Sequence, residues 1–110
     1  MTQTIEPREL LTSAELALYN DSLSEATLRK RTSAQLRRDL QRARQLRDKA
    51  QDTYRRQVGE TRQRTGTKRG VHGTSNQRTR EKAQILSATV VRLSEAAQQV
   101  AKAEQEQAKA

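Results

Sequence analysis

The chain has 110 residues, 22 of them Lys or Arg and 13 Asp or Glu, for a formal net charge of +9. Only 32% of residues are hydrophobic and 2% aromatic, and Phe, Trp and Cys are absent. This composition excludes a thick globular core, a disulfide frame and thiolate chemistry, and no stretch approaches the roughly 20 apolar residues of a membrane span. What it tolerates is a single elongated bundle of two or three helices over 1–110, since Ala and Leu make up much of the apolar set and both favour helix.

The N-terminal MTQTIEPREL has no apolar run and no early positive cluster, so it does not read as a signal peptide. The expectation is a soluble cytoplasmic protein with a flexible head over 1–11, closed off by Pro7. Short helices follow over 12–31. Thr12-Ser13-Ala14-Glu15 is a capping box, in which Thr12 caps the helix and Glu15 reaches back to it. It opens a short helix to about Tyr19, interrupted by Asn20-Asp21. Ser22-Leu23-Ser24-Glu25 reads as a second box, opening a helix to about Lys30.

A third box, Thr32-Ser33-Ala34-Gln35, opens a long helix over 33–64. Its apolar positions are Leu36, Leu40, Ala43, Leu46, Ala50, Tyr54 and Val58, spaced 4, 3, 3, 4, 4 and 4 residues apart, a helical period. Residues 65–76, TGTKRGVHGTSN, hold three of the four glycines and form a basic loop. A second long helix runs over 77–107. Its seam is Leu86, Val90, Leu93, Ala97, Val100 and Glu104, with steps of 4, 3, 4, 3 and 4. Residues 104–110 are expected to fray.

The two long helices fit each other as an antiparallel, coiled-coil-like hairpin. With the bend at Gly70, Tyr54 faces Leu86, Ala50 faces Val90, Arg47 faces Leu93, Ala43 faces Ala97, Leu40 faces Val100 and Leu36 faces Glu104. The charged Arg47 and the small Ala43–Ala97 step make this seam thin. Ile85, Ala88, Val91, Ala96 and Ala103 widen the apolar face of the last helix. Leu10, Leu11, Leu16, Leu18, Leu23 and Leu28 are available to cover it. The fold expected is therefore all-α, a long helical hairpin with short N-terminal helices packed on its base. A homodimer burying the same face is the rival arrangement.

Charge is segregated along the chain. Residues 1–28 hold one basic and five acidic side chains, whereas 55–82 hold nine basic and two acidic. Folding the hairpin gathers Arg55, Arg56, Arg62, Arg64, Lys68, Arg69, Arg78, Arg80 and Lys82 at one pole, with the acidic segment expected at the other end. The glycines Gly66, Gly70 and Gly73 shape the loop. Asp52–Arg56 and Glu60–Arg64 are favourably oriented helical ion pairs. Arg37, Arg38, Arg42 and Arg44 read as a solvated helix face whose stems support packing.

No usual catalytic part is present. One His and no Cys build no metal site. His72 has no nucleophile beside it in the sequence, and GTKRGVHGTSN lacks the GK[ST] ending of a phosphate-binding loop. The expectation is a non-enzyme without cofactor, metal or small-molecule substrate. Base stacking has almost no aromatics to use, which leaves Arg and Lys contact to phosphate. The leading reading is thus a nucleic-acid-binding protein, contacting structured RNA or duplex DNA through the basic tip. The alternative is a protein–protein adaptor whose helical faces are completed by a partner or a second copy. An anionic membrane surface ranks last, because no helix pairs bulky apolar residues with a purely basic face.

Overall fold

The computed structural model describes residues 6–65 and 74–109, with backbone alone for 61–65 and 74–76. Five helices follow one another: α1 (Pro7–Leu10), α2 (Ser13–Leu23), α3 (Glu25–Arg29), α4 (Ser33–Thr65) and α5 (Thr74–Lys109). The last two pack antiparallel, and α1–α3 lie along them as a broken third layer. The molecule is a rod of 65 × 23 × 22 Å.

Local signals fix most helix starts. Thr12 Oγ1 accepts from the Glu15 N–H at 3.3 Å, and the Thr12 N–H donates to Glu15 Oε1 at 2.8 Å. Thr32 and Gln35 make the same reciprocal pair at 3.1 and 3.0 Å. The second box is not formed as expected. α2 runs through Asn20-Asp21 to Leu23, and Ser24, not Ser22, caps α3 by accepting from the Thr27 N–H at 3.3 Å. The reason is that Ser22 has better partners. Its hydroxyl donates to the Tyr19 carbonyl at 2.7 Å and accepts from Arg92 Nε at 3.2 Å.

Within the expected flexible head, Pro7–Leu10 form a short helix. Pro7 occupies the first turn of α1, where its missing N–H costs nothing, and Leu11 is buried. Residues 1–5 lie outside the described residues, as does the loop 66–73.

Two apolar clusters hold the layers together. Toward the hairpin's open end, Leu36, Leu40 and Ala43 of α4 meet Val90, Leu93, Ala96 and Ala97 of α5. Leu18 and Leu28 from the N-terminal helices complete that cluster. The alanines that looked thin in the seam leave room for Leu18. Farther along, Leu11 joins Ala50, Ala83 and Leu86. Leu36, Leu86 and Leu93 have no exposed surface. Each such leucine contributes about 1.5–3 kcal/mol relative to exposure.

The register departs from the expected one. Ser33, one turn before Leu36, holds Glu104: its N–H donates to Oε1 at 2.9 Å and its Oγ–H to Oε2 at 2.6 Å. α5 runs as helix to Lys109, two residues past the expected end at 107. Ala50 clusters with Leu86, which was assigned to Tyr54. Arg47 does not sit in the seam; it turns to the neighbouring Asp48 at 3.1 Å, and Leu46 packs against both clusters. Of the residues thought to widen α5's face, Ala96 is buried, whereas Ala88 and Ala103 are exposed and Val91 is 55% exposed. Leu23 is likewise 54% exposed.

Candidate nucleic-acid interface

The direction of the N-terminal layer decides which cations remain accessible. α1 begins beside the loop-proximal part of α5, and the chain then runs toward the open end. The acidic segment is therefore not confined to the far pole, as its charge had suggested. It reaches two of the residues assigned to the basic tip. Arg78 Nη2 donates to the Glu9 carbonyl at 2.9 Å, and Lys82 Nζ lies 2.9 Å from Glu15 Oε1. Glu15 is only 4% exposed. A carboxylate so buried requires a cation or strong donors, and it has both, in Lys82 and the Thr12 N–H.

The sequence carried a signal for this. Leu11, Glu15, Leu18 and Ser22 repeat at steps of 4, 3 and 4 and are all buried. Glu15 thus stands on the inward stripe of α2, and its helix-capping role hid its second role as the counter-ion of Lys82.

Two further arginines are committed to the fold. Arg31 bridges Asp21 and Asp39, with both contacts at 2.8 Å, and ties the α3–α4 turn to α2 and α4. Its guanidinium is held above its ordinary range, first by the hydrogen bond to Asp21 and also by the charges of Asp21 and Asp39. Arg92 lies over the Tyr19 ring, 5.7 Å from its centroid, while bonding Ser22.

What remains at the loop end is Arg55, Arg56 and Arg80, all exposed. Arg55 has a loose contact with Asp52 at 3.9 Å, three residues away, and both side chains are mostly in solvent. Such a pair is worth little. Arg56 and Arg80 make no ion pair or hydrogen bond among the described residues. At about 100° per residue, Arg80 falls on the flank of α5 away from Arg78 and Lys82. Arg62 and Arg64 lie in the last turns of α4, where only backbone is described. Lys68, Arg69, His72 and the glycines Gly66, Gly70 and Gly73 lie outside the described residues, and the expected Glu60–Arg64 pair rests on a side chain that is not described.

A second set of cations, without an ion pair among the described residues, lies on the outer side of α4. Arg37, Arg38, Arg42, Arg44 and Lys49 are exposed. The acid influencing Arg37 is Glu104, whose carboxyl is held below its usual range mainly by its hydrogen bonds from Ser33, with Arg37 a smaller contributor.

Among the described residues, no group of three or more His, Cys, Asp or Glu side chains is placed to hold a metal ion, and no helix is long and apolar enough to cross a membrane. No protein-family model matches the chain, and neither a curated protein nor a solved structure is similar to it at a significant level.

Proposed function

We propose that this chain is a non-catalytic binding protein that contacts a polyanion, structured RNA or duplex DNA, through the basic loop end of its hairpin. The observation that carries this reading is the unequal fate of its cations. Arg31, Lys82 and Arg92 are drawn into bonds that hold the N-terminal layer, whereas Arg55, Arg56 and Arg80 stay exposed on faces turned away from that layer's contacts. Exposed like charges repel one another, and a phosphate backbone relieves that repulsion while releasing its own counter-ions. Arg62, Arg64, Lys68 and Arg69 belong to the same stretch of sequence and add to its charge.

The adaptor reading is weaker. Leu11, Leu18 and Leu28, which a partner would otherwise meet, are buried against the chain's own hairpin.

The test is fluorescence anisotropy with labelled duplex DNA and a structured RNA, comparing the natural chain with an Arg55→Glu/Arg56→Glu/Arg80→Glu variant. These positions are exposed, so far-UV circular dichroism should be retained. The reading expects at least a tenfold loss of affinity, roughly one phosphate contact per removed cation. Unchanged affinity in a folded variant removes the loop end as the contact surface.

A further inference from the structure

The outward face of α4 near the hairpin's open end carries a pattern that the loop end lacks. At about 100° per residue, Ala34, Gln41 and Gln45 fall within about 20° of a single line along the helix. Arg37 and Arg44 lie about 60–80° to one side of that line, and Arg38 and Arg42 about 40–80° to the other. All seven residues are exposed. Ala43, which has no exposed surface, lies diametrically opposite the line, so the line itself points away from the bundle.

The acids nearest these arginines are already engaged. Arg42 lines a cleft with Asp21 and Asp39, but both carboxylates are bonded to Arg31 at 2.8 Å. Glu104, near Arg37, is bonded to Ser33. The pattern is bounded. Beyond Gln45 the same line carries Asp52, with Asp48 about 40° to the Arg37 and Arg44 side, both exposed, which would repel a phosphate backbone.

We propose that the face of α4 from Ala34 to Gln45 seats in the major groove of duplex DNA, with Arg37 and Arg44 on phosphates of one strand, Arg38 and Arg42 on phosphates of the other, and Gln41 and Gln45 toward the base edges. This rests on the polyanion-binding reading and extends it to a second surface and one class of ligand.

A B-form major groove, about 12 Å wide, admits a helix of about 10–12 Å diameter, and its two walls are the two strands. Cations on both flanks with uncharged residues between them match that cross-section. A small Ala and two Gln let the helix approach closely, and Gln pairs naturally with the N6 and N7 edge of adenine. The major groove of an A-form RNA duplex is deep and narrow, and side chains do not read it. The exposed stretch of about 17 Å is three helical turns, enough for a few base pairs.

The test compares two full-length variants on a duplex DNA, a duplex RNA of the same sequence, and a duplex DNA with bulky substituents on pyrimidine C5 filling the major groove. One variant is Arg37→Ala/Arg38→Ala/Arg42→Ala/Arg44→Ala, in which exposed positions gain helix propensity, so folding is preserved. The other is the loop-end Glu triple.

The proposal expects the α4 variant to lose about 30-fold or more in DNA affinity near 0.1 M salt, with a salt slope shallower by about 3 to 4. It also expects the groove-filled duplex to bind the natural chain at least tenfold more weakly than plain DNA. An α4 variant that binds DNA like the natural chain overturns the proposal, and if the loop-end triple then loses binding, the loop-end reading stands alone. The converse result, loss in the α4 variant only, supports the proposal and removes the loop end. Equal affinity for plain and groove-filled DNA overturns the groove seating, and tighter binding of duplex RNA than DNA overturns the choice of ligand. A natural chain that binds none of the three removes both surfaces.

Discussion

The covered and bare parts of the rod share the same two helices but are held by different physics. Where α1–α3 lie on the hairpin, leucines from three layers interlock, and the charges that come with them are paired: Glu15 with Lys82, and Asp21 and Asp39 with Arg31. On the loop side of Ala50 and Ala83 the N-terminal layer still touches α5 through Glu15–Lys82 and Glu9–Arg78, but the described interior changes character. Tyr54, Gln57, Val58, Thr79 and Glu81 are only partly buried, and Glu81 buries Oε2 without a hydrogen-bond partner. An arginine's role here is set by whether the N-terminal layer bonds to it. Arg31 and Arg92 are reached and become structural; Arg56 and Arg80 are not.

The largest expected effect breaks the covered part. Leu93→Ala leaves a cavity where no surface is exposed and should cost about 2–5 kcal/mol, read by chemical denaturation. Val58→Ala, in the partly buried stretch of the bare part, should cost less than about 1 kcal/mol. Equal effects would mean that the two parts are equally well packed.

Next comes the buried ion pair. Glu15→Ala removes a helix cap and the partner of Lys82 together and should cost about 3 kcal/mol, since removal of one member of a buried pair is strongly destabilising. If α1–α3 then detach, amide exchange at Leu11 and Leu18 should speed up while the middle of α4 stays protected.

A smaller effect sharpens the comparison at the open end. Glu104 is held below the usual carboxylate range by Ser33. A depressed carboxyl stabilises the fold above its unfolded-state value and loses that contribution as pH falls through the folded value. The last turns of α5 should therefore exchange faster in acid, below about pH 4, and a Glu104→Gln variant should exchange fast at neutral pH as well, with little further change on acidification. The smallest effect belongs to Asp52→Ala, expected within about 0.5 kcal/mol because its contact with Arg55 is solvated.

Much of the fold was legible because its signals are local. The boxes at Thr12 and Thr32 and the 3-and-4 spacing of the seams depend on neighbours within one or two turns. What was not legible depends on tertiary choice. Ser22 and Ser24 are equivalent as caps until Tyr19 and Arg92 engage Ser22. Arg47 and Leu46 compete for the seam, and only the presence of both apolar clusters decides for Leu46. The expected pole of nine cations was drawn from charge summed over segments, which contains no direction. Once α1 starts near Arg78, the acidic segment neutralises part of that pole, and Arg37, Arg38, Arg42 and Arg44 emerge as a second exposed set among the described residues.

The most direct test of the central claim, that the exposed arginines form polyanion-binding surfaces, is the affinity of the nuclease-treated protein for duplex DNA across salt concentrations from 0.05 to 0.3 M. Seven exposed arginines, Arg37, Arg38, Arg42, Arg44, Arg55, Arg56 and Arg80, should give a plot of log affinity against log salt steeper than about −4, since each phosphate contact contributes about −0.9. A plot that is flat, or no binding at the lowest salt, would contradict the claim.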